Sequence, residues 1–333
     1  MLLHMDGFDS YATTGDLAQE GYSFNASLST TAGRYGGGAV TMYGYGQYVQ
    51  WTASGAPMTE IWTGFAFNCQ NPSYGNTQMI MLISPSGAEA SIYYNPSINL
   101  WTAYRGNGST VLGTATYAIG AYMYHWIEIH YKISTTVGIF ELWIDGNQVM
   151  NFTGVNTSSS GGTSFTTIGL STLNAWTDDF YVLDTTGTYN NTRLGDSRIE
   201  TLRPQSDAGP NNGTPSTPGP HYAMVNELQW NSGNSIVLGS TSGNAEVFGM
   251  MALSTTPSNI HAVKVLAVAE KTDGGTLVTN AIVVSSNVEA DGNSTALLTS
   301  FSHVSNTFET DPNTGVPWAY TAVNSMHCGI KVL

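Results

Sequence analysis

Residues 125–147 read HWIEIHYKISTTVGIFELWIDGN, and this stretch predicts two β-strands joined by a short loop. Apolar side chains take every second position, from Ile127 to Ile133 in the first strand and at Phe140, Leu142 and Ile144 in the second. A period of two turns one side of each strand toward a core and the other side outward. The two apolar faces meet the same core only if odd positions pair with even ones. The connecting loop therefore has an even number of residues.

The dipeptide Asp145-Gly146, followed by Asn147, is typical of a β-hairpin turn and predicts a third strand directly after it. The stretch thus predicts three consecutive strands, the first of which opens on Trp126. This order of elements is typical of a β-sandwich, a fold that more often binds than catalyses.

Short segments of alternating or apolar residues fill the rest of the chain, and glycine or Ser-Thr pairs interrupt them, so we expect almost no helix. The predicted strands of the first half are 3–8, 39–51, 61–68, 78–84, 90–94, 99–104, 125–133, 139–145, 148–152, 164–170 and 178–184. Those of the second half are 261–271, 277–286, 295–303, 318–323 and 327–332. The first of these is almost continuously apolar, which predicts a central strand buried on both faces.

The composition changes between residues 185 and 220, which hold five of the twelve prolines and almost no apolar face. The tail of this segment, 204–220, is typical of an extended linker. We therefore expect an all-β protein in three parts. These are a jelly-roll sandwich over 1–187, an extended arm and Pro/Gly-rich linker over 188–220, and a second, smaller β-sandwich domain over 221–333.

Charged residues are only 10% of the 333 residues, and 23 acidic residues against 9 basic ones give a formal net charge of −14. A nucleic-acid-binding protein needs a basic patch that displaces counterions from phosphates, and the four lysines here are scattered. No apolar window approaches the length of about 18 residues that crosses a bilayer, and we expect no leader peptide before the first domain. We expect no nucleic-acid partner and no membrane insertion. We also expect a protein made in a reducing cytoplasm, with both cysteines as buried free thiols.

The sequence offers little that is typical of an enzyme, and we expect no catalytic residues. A glycosidase on this fold needs two acids on one strand face, whereas Glu128 shares its face with Trp126, His130 and Lys132. Glu141 falls across the hairpin from Lys132 or His130, which predicts an ion pair. No HExxH, P-loop, G-x-S-x-G or dinucleotide-binding motif is present.

Carbohydrate binding is the next candidate, because Trp126 and Trp143 fall on the polar side of their strands. Exposed together, the two rings form a platform on which a sugar can stack, with Glu128 and His130 beside them as polar partners. The alternative is that another sheet, a loop or a neighbouring subunit covers the rings, as large aromatic side chains are usually covered.

Two further groups of residues are candidates for binding. Asp178 and Asp179, with backbone carbonyls, are candidate ligands for calcium, although the acids are too few to define a site and we otherwise expect no cofactor. Arg193, Arg198 and Arg203 are three of only nine cations and lie together in the predicted arm. They are candidates for inter-domain or partner contacts, and the alternative is that solvent surrounds them.

Several motifs carry a resemblance to a known family. The opening HMDGFDSY (4–11), the hairpin from Trp126 to Gly146, and the strand DDFYV (178–182) resemble a concanavalin-A-like (laminin-G-like) jelly roll. Adding LGDSRIETLRPQSDAG (194–209), DPNTGVPW (311–318) and AVNSMHCGIKV (322–332) makes nearly the whole chain similar to uncharacterised structural proteins of tailed-bacteriophage virions.

This resemblance implies a non-enzymatic virion component, namely a capsid decoration or head fibre, a collar piece or a tail-associated protein. Its partners would be other virion proteins, further copies of itself and host surface glycans, and it would assemble in the host cytoplasm before joining the virion. Two alternatives stay open. One is a lectin-like carbohydrate-binding module, and the other is a glycan-degrading enzyme.

Overall fold

The computed structural model describes residues 1–44, 46–71, 75–159, 161–170, 174–230 and 233–333. The chain divides into two compact units, Met1–Ile199 and Glu200–Leu333. The predicted boundaries after 187 and 220 differ from this division, because residues 188–199 belong to the first unit and the predicted linker belongs to the second.

The first unit consists of fifteen described strands and one short helix, α1 (Thr14–Gln19). The strands are β1 (Leu2–Asp6), β2 (Tyr22–Phe24), β3 (Ser27–Ser29), β4 (Ala39–Met42), β5 (Val49–Thr52), β6 (Glu60–Cys69), β7 (Thr77–Ser84), β8 (Gly87–Asn95), β9 (Leu100–Arg105), β10 (Thr110–Thr116), β11 (Tyr124–Lys132), β12 (Gly138–Ile144), β13 (Asn147–Val155), β14 (Thr167–Leu170) and β15 (Ala175–Asp184).

These strands form two antiparallel sheets. The first has eight strands in the order β13-β12-β11-β6-β15-β4-β3, with β1 paired to β15, and the second has seven in the order β10-β9-β8-β7-β14-β5-β2. Between the sheets lies one apolar core whose largest members, among them Trp101, Tyr131 and Phe140, are fully buried. The all-β jelly-roll prediction is confirmed.

The hairpin of residues 125–147 forms as predicted. Ile127 of β11 pairs with Ile144 of β12 and Ile129 pairs with Leu142, so odd positions face even ones. Asp145 and Gly146 adopt positive φ angles of 47° and 79°, as a tight two-residue turn between right-twisted strands requires. Strand β13 follows at once.

The predicted strand 39–51 is two strands in different sheets, because β4 lies in the first sheet and β5 in the second. The chain turns between them, and Gly46 takes a positive φ of 76° there, which glycine adopts without a steric cost. The alternation of residues 39–51 gives no sign of this change of sheet, since both halves face the same core. Tyr45 lies outside the described residues.

One half of the outer face of the first sheet is covered by the segment 185–199, hereafter the arm. The backbone amide of Ile199 donates to Asp179 Oδ1 (2.7 Å), and that of Gly195 donates to Glu128 Oε1 (2.8 Å). Strand β6 is consequently buried at nine of its ten positions, on both faces.

The second unit has ten strands, a short helix α2 (Tyr320–Ser325) and a single 3₁₀ turn (His221–Met224) among its described residues. The strands are β16 (Pro204–Asn211), β17 (Thr214–Pro215), β18 (Ile236–Val237), β19 (Ala245–Met250), β20 (Val263–Ala269), β21 (Val278–Ser285), β22 (Val288–Asp291), β23 (Thr295–Ala296), β24 (Ser302–Phe308) and β25 (His327–Val332). No helix in the described part of the chain is long and apolar enough to cross a membrane.

A six-stranded sheet, β16-β19-β25-β21-β22 with β23 on β21, shares its core with the two-stranded sheet β20-β24. Three predictions for this unit are wrong. Residues 204–211 form an edge strand rather than a linker, residues 318–323 enter the helix α2, and β20 pairs only with β24 and is half-buried over most of its length. Cys69 and Cys328 are buried free thiols, as expected.

Gly64 of β6 provides a test of how tightly the outer face is packed. The rings of Trp126 and Tyr181 stack above it with centroids 6.0 Å apart, and a Cβ at residue 64 would lie 2.9 Å from Trp126 Cζ2 and closer still to Tyr181. We expect Gly64→Ala to lower the free energy of unfolding by about 2 kcal/mol, since both rings are buried and must shift.

The measurement is urea unfolding followed by tryptophan fluorescence, because six of the eight tryptophans lie in the first unit. Gly55→Ala is the matched control. Its Cβ meets open space, so its stability should stay within about 0.5 kcal/mol of the parent. Equal stability of the two variants would show that the rings are loosely packed.

Candidate functional site

Three neighbouring strands carry the polar residues of the outer face in register. Glu128 of β11 lies between Gly64 of β6 and Trp143 of β12. His130, two residues further along, lies between Trp62 and Glu141 in the same way. Because side chains two residues apart share a face, these rows place two carboxylates, an imidazole and two indoles on one surface.

The carboxylate of Glu128 has no solvent exposure. Its Oε1 accepts hydrogen bonds from the hydroxyl of Tyr181 (2.8 Å) and the amide of Gly195 (2.8 Å), and its Oε2 accepts one from Arg193 Nη1 (2.9 Å). Burial, and the negative charge of Glu128, raise the pKa of Tyr181 well above its ordinary value, so the phenol stays a donor. Glu128 is a structural anchor for the arm and is not open to a sugar.

Trp126 is also wholly buried, and the predicted platform of Trp126 and Trp143 does not exist. Its ring lies beneath Tyr181 and the guanidinium of Arg34, whose Cζ is 5.6 Å from the ring centroid. The indole Nε1 has no hydrogen-bond partner in the structure. The prediction that Trp126 and Glu128 bind carbohydrate is therefore wrong, and the alternative that a loop covers the aromatic side chains describes this half of the face.

The other half of the face is open, and its members form what we call the Trp143 cluster. The cluster consists of Glu60, Trp62, His130, Lys132, Glu141 and Trp143. Four of its six members are half-buried, Lys132 is a little more exposed, and Trp62 is buried. Of the four residues that the sequence predicted for carbohydrate binding, His130 and Trp143 belong to this open cluster.

His130 is held between two carboxylates and an indole. Its ring stacks on Trp62 with centroids 4.3 Å apart and planes 9° apart. Nε2 lies 3.0 Å from Glu60 Oε1, whereas Nδ1 lies 3.4 Å from Glu141 Oε2, too far for a well-formed hydrogen bond. The imidazole is thus fixed from one side, and Nδ1 is a buried atom with no hydrogen-bond partner among the described residues.

Glu60 is kept ionised by its neighbours. Its partial burial alone would raise the carboxyl pKa, but hydrogen bonds from Lys132 and His130 outweigh this effect, and the pKa lies below the usual value. Lys132 Nζ is 2.9 Å from Glu60 Oε2.

Trp143 is the half-buried aromatic ring of the cluster. The guanidinium of Arg193 lies over the ring, with Cζ 4.2 Å from its centroid, and the indole Nε1 is 3.5 Å from Glu141 Oε2. Such cation–π contacts hold a ring in place. Trp143 therefore presents its remaining surface in a fixed orientation.

The three arginines that the sequence predicted for partner contacts lie in different places. Arg193 pins the arm to Glu128, and Arg198 lies over the ring of Tyr35, with Cζ 4.5 Å from the centroid. Arg203 donates to the carbonyl of Asn226 within the second unit (3.1 Å). Contacts of these residues with a partner stay a prediction.

Asp178 and Asp179 occupy a bulge of β15, where Asp179 has a positive φ of 52°. Asp178 accepts the amides of Arg34 (2.7 Å) and Asp179 (2.7 Å). Asp179 Oδ2 has no hydrogen-bond partner and lies 3.7 Å from Arg34 Nη1. In the described residues no three His, Cys, Asp or Glu side chains are grouped to hold a metal, and a calcium ion here would lie beside a guanidinium. Calcium stays a prediction that these contacts do not favour.

Sequence reasoning missed Glu60, Trp62 and Arg34 as members of the outer face. Glu60 and Trp62 lie on the same side of β6, and their spacing of two residues could have indicated a shared face. The sequence could not show that this face lies beside β11, because the paired positions are about 70 residues apart. Nothing local to Arg34 indicates its bidentate pairing with Asp196, which is 162 residues away (2.6 and 2.8 Å).

No family model and no curated protein matches the chain. Among solved structures, the alginate lyase Aly36B is similar at 12% identity and a TM-score of 0.40, over 54% of this chain and 96% of the lyase. A sialidase is similar at 11% identity and a TM-score of 0.42, over 55% of this chain and 18% of the sialidase. The carbohydrate-binding module CBM66 from Bacillus subtilis is similar at 13% identity and a TM-score of 0.35, over 49% of this chain and 96% of the module.

The prediction of a structural component of a bacteriophage particle is contradicted by this comparison. The similar structures are those of an alginate lyase, a sialidase and a carbohydrate-binding module. We withdraw that interpretation.

The anchoring of the arm by Glu128 can be tested by Glu128→Gln. This change leaves Arg193, whose side chain is 30% exposed, without its counter-charge, and we expect the free energy of unfolding to fall by about 2 kcal/mol. Hydrogen exchange of residues 188–199 should become faster as well. Glu141→Gln, on the neighbouring strand, is the control and should cost about 1 kcal/mol or less, because the contacts of Glu141 with His130 and Trp143 are long, at 3.4 and 3.5 Å. Unchanged exchange of the arm in Glu128→Gln would disprove the anchoring role.

The acidic pair predicts a pH dependence of stability. Burial is the main cause that raises the pKa of both Asp178 and Asp179, and the like charge of Asp179 adds to the effect on Asp178. The folded pair therefore keeps protons that the unfolded chain has released above about pH 4. Since the folded state then binds more protons, the free energy of unfolding falls as pH rises from about 4 through neutrality.

We expect Asp179→Asn to make this slope shallower and to raise stability relative to the parent at alkaline pH. The measurement is urea unfolding at a series of pH values. Asp273→Asn, at an exposed position of the second unit, is the control and should leave the slope unchanged. A slope as steep in Asp179→Asn as in the parent would mean that the pair does not titrate in this range.

Proposed function

We propose that the first unit is a non-catalytic carbohydrate-binding module and that the Trp143 cluster is its binding surface. The observation that supports this most directly is the partly exposed indole of Trp143 next to the carboxylate of Glu141, whose long contacts with its neighbours leave acceptor capacity unused. Sugars offer apolar C–H faces and hydroxyl groups, which match an aromatic ring and a charged acceptor respectively.

The surface is rigid before any ligand arrives. Its residues lie on the adjacent strands β6, β11 and β12, and each named side chain has at least one partner that fixes its orientation. A site built on regular strands loses little conformational entropy on binding, because its rotamers are already ordered.

Binding is favoured over hydrolysis because of the state of the acids. Glu128 has no access to solvent or substrate, and Glu60 is neutralised by Lys132. General acid catalysis needs a carboxyl group whose pKa is raised, whereas the pKa of Glu60 is lowered. Glu141 alone does not provide the pair of acids that glycoside hydrolysis uses.

A glycan array followed by isothermal titration calorimetry on the tightest oligosaccharide tests the proposal. We expect Trp143→Ala to weaken binding by at least about tenfold, as the loss of an aromatic contact residue does. Glu141→Gln should weaken it severalfold, since a charged acceptor becomes a neutral one. Tyr104→Ala, on the second sheet and outside the core, should bind like the parent.

Absence of glycan binding by the folded parent, or full binding by Trp143→Ala, would refute the proposal. Release of new reducing ends from a bound glycan, lost in Glu141→Gln, would replace it with an enzymatic function.

A further inference from the structure

The charges at the Trp143 cluster are unevenly distributed. Glu60 and Glu141 lie within it and Glu128 lies directly beneath Arg193 at its edge, which makes three carboxylates. Two cations, Lys132 and Arg193, reach the same place. The sum over these five side chains is one negative charge.

Both cations are already engaged. Lys132 Nζ contacts Glu60 Oε2 at 2.9 Å, and Arg193 Nη1 contacts Glu128 Oε2 at 2.9 Å while its guanidinium lies on Trp143. An anionic ligand would compete with these two carboxylates for their cations, and drawing Arg193 away would leave the carboxylate of Glu128 buried without its counter-charge.

The remaining cations of the first unit lie elsewhere. Arg34 and Arg198 lie at the ring of Tyr35, and Arg105 is in β9 of the second sheet. The unit as a whole has thirteen acidic and five basic side chains, which gives a formal net charge of −8. Its long-range field therefore repels anions as they approach.

Glu141 is the complementary feature. Within the described part of the chain it has no lysine or arginine partner, and its contacts with His130 and Trp143 are long, at 3.4 and 3.5 Å. Its oxygens can therefore accept from a ligand, and an ammonium group is a stronger donor to a carboxylate than a hydroxyl group is.

We propose that the Trp143 cluster selects glycans by charge, binding amino sugars more tightly than uncharged sugars and excluding sugars that bear carboxylate or sulfate groups. This selectivity rests on the proposed function and assigns its ligand class. Ion pairing with Glu141 selects the amine, and the anion is disfavoured because Lys132 and Arg193 are each paired with a carboxylate and the unit is net negative.

The experiment compares three oligosaccharides of equal length with the whole protein. A chitosan oligosaccharide and its fully N-acetylated counterpart differ only in whether the amine is free, and an oligoalginate supplies the carboxylates. Binding is measured by calorimetry at mildly acidic pH, where the amines of chitosan are protonated. We expect the chitosan oligosaccharide to bind about tenfold more tightly than the acetylated one, and the oligoalginate to show no heat of binding.

Salt and one substitution separate this selectivity from a general effect of net charge. The preference for the free amine should shrink as salt is raised past about 0.1 M, where charges are screened beyond about 10 Å. Glu141→Gln should lose most of the preference while keeping its affinity for the acetylated sugar within about threefold. Asp196→Asn changes the net charge equally, away from the cluster, and should keep the preference.

The outcomes distinguish the two proposals. Tighter binding of the oligoalginate than of the acetylated sugar, equal binding of the free and acetylated amines, or an unchanged preference in Glu141→Gln overturns the charge selectivity and leaves carbohydrate binding in place. Absence of binding to all three, together with an empty glycan array, refutes carbohydrate binding itself.

Discussion

The fully buried carboxylate of Glu128 determines how the outer face of the first unit is arranged. Transferring an ion out of water costs several kcal/mol, and only a full set of donors offsets that cost. Here the donors come from β15, through Tyr181, and from the arm, through Arg193 and Gly195. The two strands and the arm are consequently fixed to one another by a single group whose release would be costly.

The same anchor separates the face into two chemically different halves. On one side Tyr181 and Arg34 cover Trp126, the arm contacts Tyr181 through the amide of Leu194, and the surface behaves like a second core. On the other side the arm contributes the guanidinium of Arg193, which orients Trp143 and leaves its ring partly exposed. The extent and the rigidity of the proposed binding surface thus depend on the ion pair of Glu128 with Arg193, in which the carboxylate is buried.

Much of the framework is encoded locally. The alternation in residues 125–147 predicted both strands, the parity of their pairing and the turn at Asp145-Gly146, because each depends on neighbours in sequence. The pattern also assigned Trp126 and Glu128 to the outer side of the sheet, and they do lie on that side. It could not show that they are buried, since Glu128 is covered by residues 65 and 67 positions further along the chain and Trp126 by Tyr181 and Arg34, which are also distant in sequence.

The errors in the second half have a similar origin. Residues 204–211 are rich in proline and glycine and read as a linker, yet they gain their partners from β19, about 40 residues later. The helix α2 spans six residues, too few for a helical period to stand out from alternation.

The rings of Trp126 and Tyr181 fill the space above Gly64 that a side chain at residue 64 would otherwise occupy. In a related chain without the arm, Glu128 and Tyr181 would have no arm to contact. A glycine at residue 64 would then no longer be needed to make room for the ring of Tyr181. We expect these three positions to change together, so that homologues either retain all three residues or replace them jointly with a larger residue, an apolar residue and a shorter one. A small residue at position 64 of β6 would then indicate that a homologue has the arm.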